Sequence, residues 1–290
     1  MRLCDEVRRS CAAVAAGATS VTIDLDRLGE VQPGPEPVLD PESHYLEGSR
    51  EAVTAYLLTL DAVNFGSGWF PTLHKRPGCS GYGTVAWALA DRFRSEGPWT
   101  AADLRGLEAA TIADVLGQEQ GHELMALYAR ALNDLGVFLG ERSALDAVKA
   151  AGGSAQRLAE QLVAGMPFFD DPGFFKRAQI VPNDLALAGV AEFSDLDRLT
   201  IFADNLVPHV LRLDGVLRYD ALLAARIDAG ELLEPGPEER EIRACALHAC
   251  ELIAPELEVA PRVLDTWLWN RGQDARYKAV PRHRTRTVAY

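Results

Sequence analysis

Apolar residues in this chain recur at three- and four-residue spacing in segment after segment. Strand-like alternation is confined to two short stretches. From Arg50 to Asn64, the residues Val53, Tyr56, Leu57, Leu60 and Asn64 fall on one helical stripe. Thr100 is placed as the N-cap of a helix carrying Leu104, Leu107 and Ile112. Residues 119–139 keep the helical period through Leu124, Leu127, Tyr128, Ala131 and Leu135. Ser154 caps the segment AQRLAEQLV, and residues 238–253 are periodic through Ile242, Cys245, Ala249 and Leu252. Val21–Leu25 is read as one short strand and the C-terminal tail, rich in Thr, Val and Tyr, as another. The expected fold class is all-α, mainly helical with one or two short strands. Pro/Gly clusters at 32–41, 71–83 and 234–237 punctuate the helices. The expected organisation is a single helical domain over residues 1–290. It carries an N-terminal arm of about residues 1–45 and a basic tail, 271–290, folded onto it.

Charge and cysteine usage narrow the partners. With 48% apolar residues and a mean hydropathy of −0.05, the chain reads as an ordinary globular protein. It has no run approaching the roughly 18–20 apolar residues of a membrane span. The start, MRLCDEVRRSCAAVAAGA, has the outline of a signal peptide, but Asp5 and Glu6 interrupt its basic region, so an ordinary first helix is expected. Five cysteines, with no C-x-x-C pair, argue against a disulfide framework or a zinc site and for a reducing compartment, the cytoplasm. The net charge of −13 argues against a long nucleic acid. Residues 271–290 nevertheless hold six Lys or Arg against one acid, Asp274, a local charge of +5 that suits a small anionic ligand. A monomer acting on a small molecule is expected.

Generic motifs carry little. Gly81, Gly83 and Ala86 match a dinucleotide fingerprint on paper, but no strand precedes them. Ser67 is not in a nucleophile elbow, His122-Glu123 lacks the second histidine of a zinc helix, and six scattered histidines leave no catalytic metal site. Five segments instead set polar groups inside apolar runs. They are Asp61 and Asn64 with Phe65 and Trp69; Lys176 and Arg177 after two phenylalanines; Asp204 after Phe202; Asp265 with Trp267 and Trp269; and the tail with His283, Arg284 and Arg286. Each has a plain structural alternative, such as Asp204 capping a helix or the tryptophans filling a core. Together they suit a ligand with a planar base, a sugar and a phosphate.

At these segments the chain resembles the queuosine salvage protein family. The matching stretches are DAVNF (61–65), FFKRAQI (174–180), TIFADNLVPHVL (200–211), EIRACALHACELI (241–253), DTWLW (265–269) and PRHRTRTVAY (281–290), in the family's order. The resemblance implies a helical fold similar to base-excision DNA glycosylases, and cleavage of the bond between ribose and a 7-deazaguanine base without a cofactor. The substrate it implies is queuosine 5′-phosphate. It also implies that Asp204 and Lys176 are the active-site acid and lysine. Asp61, Asn64, Phe65, Trp69, Phe202, Asp265, Trp269, His283, Arg284 and Arg286 become expected substrate contacts, with the tail arginines and His283 on the phosphate. Two departures stand out: the loop before Trp69 is one residue longer than the family's usual form, and Asn205 replaces a frequent aromatic. Two other functions compete, a non-catalytic nucleotide carrier and a DNA base glycosylase. The first has no need of Asp204, and the second sits poorly with −13.

Overall fold

Local capping signals account for most of the helix boundaries. The computed structural model describes residues 2–290. The chain opens with α1 (Leu3–Ala16) and β1 (Val21–Ile23) and continues through α2 (Arg50–Ala62), α3 (Gly81–Glu96), α4 (Ala101–Arg105) and α5 (Ala109–Leu116). Then come α6 (Glu123–Leu139), α7 (Ala144–Lys149), α8 (Ala155–Gly165) and α9 (Lys176–Leu187). After α10 (Val207–Leu213), β2 (Leu217–Tyr219) and α11 (Ala221–Asp228), the chain ends with α12 (Pro237–Glu256), α13 (Pro261–Arg271) and α14 (Ala275–Lys278). The protein is mainly helical, with one two-stranded sheet among the described residues. Ser49, Ser80, Ser143 and Ser154 each accept a backbone N–H from the first turn they precede. Thr100 and Asp103 form a reciprocal capping box. Among the described residues no helix is long and apolar enough to cross a membrane.

Contacts divide the chain into two units. The first comprises Met1–Pro37, Asp171–Lys176 and Asp197–Thr287. Its centre is α12, opened by Pro237 and by two glutamates that suit the positive helix end. The inward face carries Ile242, Cys245, Ala246, Ala249, Cys250 and Ile253, mostly small side chains that let neighbours approach. Leu252, expected on that stripe, is exposed, and Ile253 takes the inward position. α1 packs along α12 through Leu3, Cys4, Val7 and Cys11. β1 pairs antiparallel with β2, Val21 opposite Tyr219 and Ile23 opposite Leu217. The N-terminal segment is thus built into this unit. At Gly34 an added Cβ would sit 2.6 Å from the Trp267 ring, whose N–H donates to the Pro35 carbonyl.

The tail is not the strand expected from its composition. Arg284 alone bridges Leu232, and the His283 carbonyl accepts from the Asn205 side chain instead of from a ladder partner. With that group taken by a side chain and Pro281 lacking an N–H, no ladder can propagate.

The second unit comprises Val38–Asp170, Arg177–Leu196 and Val288–Tyr290. Helix α2 is buried along nearly its whole length and packs on α3, α6 and α7. Glu51 reaches the start of α7, accepting from the Ala144 and Leu145 amides at 2.8 and 3.0 Å. α4 crosses α6 so closely that a Cβ at Gly136 would lie 2.8 Å from the Ala101 carbonyl. The stripe expected to reach Asn64 ends at Ala62; Asn64 N–H bonds back to Asp61 in a turn. The helix expected from Thr100 to Ile112 is split after Arg105, where Gly106 follows.

Candidate active site

Four consecutive residues of the first unit are each held by a different element. The Phe202 N–H donates to Asp265 Oδ1 on α13 at 2.8 Å. The Ala203 carbonyl accepts from Arg243 Nε on α12 at 2.9 Å. Asp204 Oδ1 accepts the Leu206 and Val207 amides at 2.7 and 3.0 Å, at the start of α10. Asn205 Nδ2 donates to the His283 carbonyl at 2.9 Å. This last bond gives Asn205, where an aromatic is frequent in the resembled family, a structural task.

Asp204 therefore closes, through one oxygen, the turn that leads into α10, whose N-cap is Leu206. Its other oxygen, Oδ2, accepts no hydrogen bond from the described residues, and the side chain is half-buried. A carboxylate fixed on one side and open on the other can be presented to a substrate.

Arg243 ties this loop to the segment that carries Lys176. Its guanidinium grips Asp171 through two bonds, 3.1 Å to Oδ1 and 2.5 Å to Oδ2, lies 3.5 Å from Glu239, and stacks 3.9 Å from the centre of the Phe174 ring. Asp171 Oδ2 in turn accepts the backbone N–H of Lys176 at 3.4 Å, and its carbonyl accepts the Phe174 and Phe175 amides. Phe175 has φ 49°, a left-handed conformation that a bulky residue adopts only under tertiary constraint. The strained residue directly precedes Lys176, which is 5% exposed at the first position of α9. Asp204 and Lys176 thus sit on segments joined by one buried guanidinium.

The tail contributes unequally. His283 is buried, and burial together with the positive charges of Arg243 and Arg282 pushes its pKa down to about 3, so the ring is neutral. Arg284 donates to the Gly230 carbonyl at 2.7 Å, and Arg286 is exposed. Arg282, beside them, feels the charge of Asp204 without pairing with it; burial lowers its pKa and Asp204 opposes that. Trp269 is half-buried on α13, while Phe202 and Asp265 are buried.

The remaining expected residues, Asp61, Asn64, Phe65 and Trp69, lie together in sequence in the second unit. Asp61 is fully buried in the last turn of α2. Burial pushes the Tyr82 hydroxyl up, and the charges of Asp184 and Asp61 add to this. Phe65 is closed in by Tyr128, with ring centres 5.0 Å apart, and by the Arg177 guanidinium at 4.7 Å. Arg177 itself donates to the Ala62 and Phe168 carbonyls. The Trp69 indole N–H donates to Glu123 at 2.8 Å. A cavity of about 440 Å³ in this unit, bordered by Trp99, Arg105 and Arg142, contains none of the expected residues. Among the described residues, no three His, Cys, Asp or Glu side chains converge as metal ligands.

Three residues that matter here escaped the sequence reading: Arg243, Asp171 and Arg282. Arg243 had one signal, a lone cation amid alanines on a buried helix face. Asp171 had none.

Comparison with known proteins places the whole chain. A family model described as queuosine salvage protein matches residues 43–290. A protein of Sphaerobacter thermophilus named queuosine 5′-phosphate N-glycosylase/hydrolase is 34% identical, over 96% of this chain and 95% of its own. A protein of the same name from Mus musculus is 31% identical over 84% of this chain and 83% of its own, and one from Nematostella vectensis 29% over 87% and 85%. The chain belongs to the queuosine salvage protein family.

Proposed function

We propose that this chain hydrolyses the N-glycosidic bond of queuosine 5′-phosphate, releasing queuine and ribose 5-phosphate. Relatives named queuosine 5′-phosphate N-glycosylase/hydrolase support that reading. The observation that supports it most is Asp204, anchored through Oδ1 with Oδ2 unoccupied by any protein donor, on a loop pinned by four elements. Breaking the bond between C1′ and the base nitrogen leaves the electron pair on the base and positive charge on the ribose. A fixed carboxylate beside C1′ stabilises that charge and orients the water whose oxygen then bonds to C1′; the carboxylate takes the proton this water loses, and the departing base gains one from solvent. A purine leaving group is commonly protonated at ring position seven. In a 7-deaza base that position is carbon, so the demand falls on the sugar side. Lys176, whose segment is tied to the Asp204 loop through Arg243 and Asp171, is assigned to the ribose phosphate region.

Asp265 and Phe202 hold the Asp204 loop, and Trp269 is assigned to the substrate's planar base. Asp61, Asn64, Phe65 and Trp69 are assigned to base recognition from the DAVNF resemblance and not from geometry. Arg284, Arg286 and His283 are assigned to the tail's support of the phosphate end. The five free cysteines suit a reducing compartment, and we place the protein in the cytoplasm.

Incubation with queuosine 5′-phosphate, with the products separated by chromatography, tests the reaction. Free queuine and ribose 5-phosphate appearing in equal amounts support hydrolysis at the glycosidic bond. Binding without cleavage would make the protein a nucleotide carrier.

A further inference from the structure

The tail presents several arginines, and the structure commits most of them. Arg271 pairs with Asp214 at 3.0 Å and donates to the Gln32 carbonyl. Arg276 approaches the same aspartate at 3.3 Å. Arg284 donates to the Gly230 carbonyl, while its backbone bridges Leu232. Arg282 is different. Its guanidinium makes no hydrogen bond or ion pair among the described residues, although the side chain is half-buried. Its nitrogens are not among the fully buried unpartnered atoms, so they still reach solvent, and a cation with no protein partner is free to take an incoming anion.

Its position is fixed independently. The carbonyl of the next residue, His283, accepts from Asn205, which directly follows Asp204. The 282–283 backbone and the Asp204 loop are therefore neighbours within the first unit. Asp204 lies within reach of Arg282's field but not within ion-pair distance. A cation and an anion held near each other yet apart suit a ligand that is positive at one end in its transition state and negative at the other. A ribose phosphate ester, with its reacting carbon remote from its 5′-phosphate, has that polarity.

We infer that Arg282 is the side chain that binds the 5′-phosphate monoester, and so sets the preference for nucleotide over nucleoside. The inference rests on the glycosylase reading of the same site. The planar fork of an arginine can give two parallel N–H bonds to phosphate oxygens, which a lysine cannot reproduce. Buried, neutral His283 adds no competing positive charge at neutral pH.

The test uses the full-length protein and the variants Arg282→Gln and Arg282→Lys, with circular dichroism confirming that each is folded. Ribose 5-phosphate binding is measured by calorimetry, and kcat/KM is measured on queuosine 5′-phosphate and on queuosine. For Arg282→Gln, ribose 5-phosphate affinity and kcat/KM on the nucleotide are each expected to fall about 10- to 100-fold, the worth of charge-assisted hydrogen bonds. The nucleoside should change less than about threefold, and Arg282→Lys should recover part of the loss. Equal losses on nucleotide and nucleoside would overturn the inference, as would unchanged ribose 5-phosphate affinity or no ribose 5-phosphate binding by the wild type. If the wild type binds ribose 5-phosphate through Arg282 but cleaves neither substrate, the phosphate site stands and the glycosylase reading falls.

Discussion

Replacing Arg243 with leucine should be among the most damaging single changes in the first unit. The Arg243 side chain is 3% exposed and its partners Asp171 and Glu239 are 10% and 11% exposed. Leucine leaves two buried carboxylates without their cation, a loss of about 3–5 kcal/mol in comparable pairs. The stacking on Phe174 at 3.9 Å adds roughly 1 kcal/mol. The sum, about 4–6 kcal/mol, is comparable to the whole stability of many domains. Urea unfolding monitored by circular dichroism measures it. The double variant Arg243→Leu/Asp171→Asn separates a charge effect from a packing effect, because it removes one of the stranded charges while keeping an acceptor for the Lys176 amide. It should be more stable than additivity predicts by at least about 2 kcal/mol. A single-variant loss below about 1 kcal/mol, or strict additivity, would refute the view that a buried ionic node joins the Asp204 and Lys176 segments.

Three further outcomes follow from particular contacts. His283 is held neutral with a pKa near 3 against an ordinary value of 6.5, so the unfolded chain binds the extra proton across that interval. Stability should be full above about pH 6.5 and fall toward pH 3 by up to about 1.4 kcal/mol per pH unit, and His283→Gln should flatten that acid limb in urea titrations. Gly136→Ala gains helix propensity but drives a Cβ to 2.8 Å from the α4 backbone, and should lower stability by about 1–3 kcal/mol; a stabilised variant would contradict the close crossing. Glu51→Ala removes both acceptors from the start of α7 and should cost about 1–2 kcal/mol, with amide exchange accelerated at Ala144 and Leu145.

Much of the helical framework was legible because its signals are local. Thr100 and Ser154 cap where their spacing places them, and α12 and α6 carry the expected period. The misses came where a glycine breaks the period or where tertiary contacts decide. Gly106 ends a short helix that the stripe alone would continue, and Leu252 faces solvent because the inward position falls to Ile253. The tail's strand-like composition lost to a side-chain bond from Asn205, a contact across 78 residues that no local pattern encodes. The same holds for the candidate site. Asp204 and Lys176 stood out as polar groups in apolar runs. Asp171 looked like an ordinary loop acid, and Arg282 could not be told from Arg284 until the partners of each were known. Trp267, named beside Trp269, turned out to pack on Gly34 and Pro35.

The most direct test of the proposed chemistry compares wild type with Asp204→Asn on queuosine 5′-phosphate, following queuine by chromatography and binding by calorimetry. The amide keeps an oxygen to accept the Leu206 and Val207 amides, so the fold and nucleotide binding should survive. Queuine release should fall by at least on the order of 100-fold. Release within a few fold of wild type, from a folded variant, would remove Asp204 from the reaction.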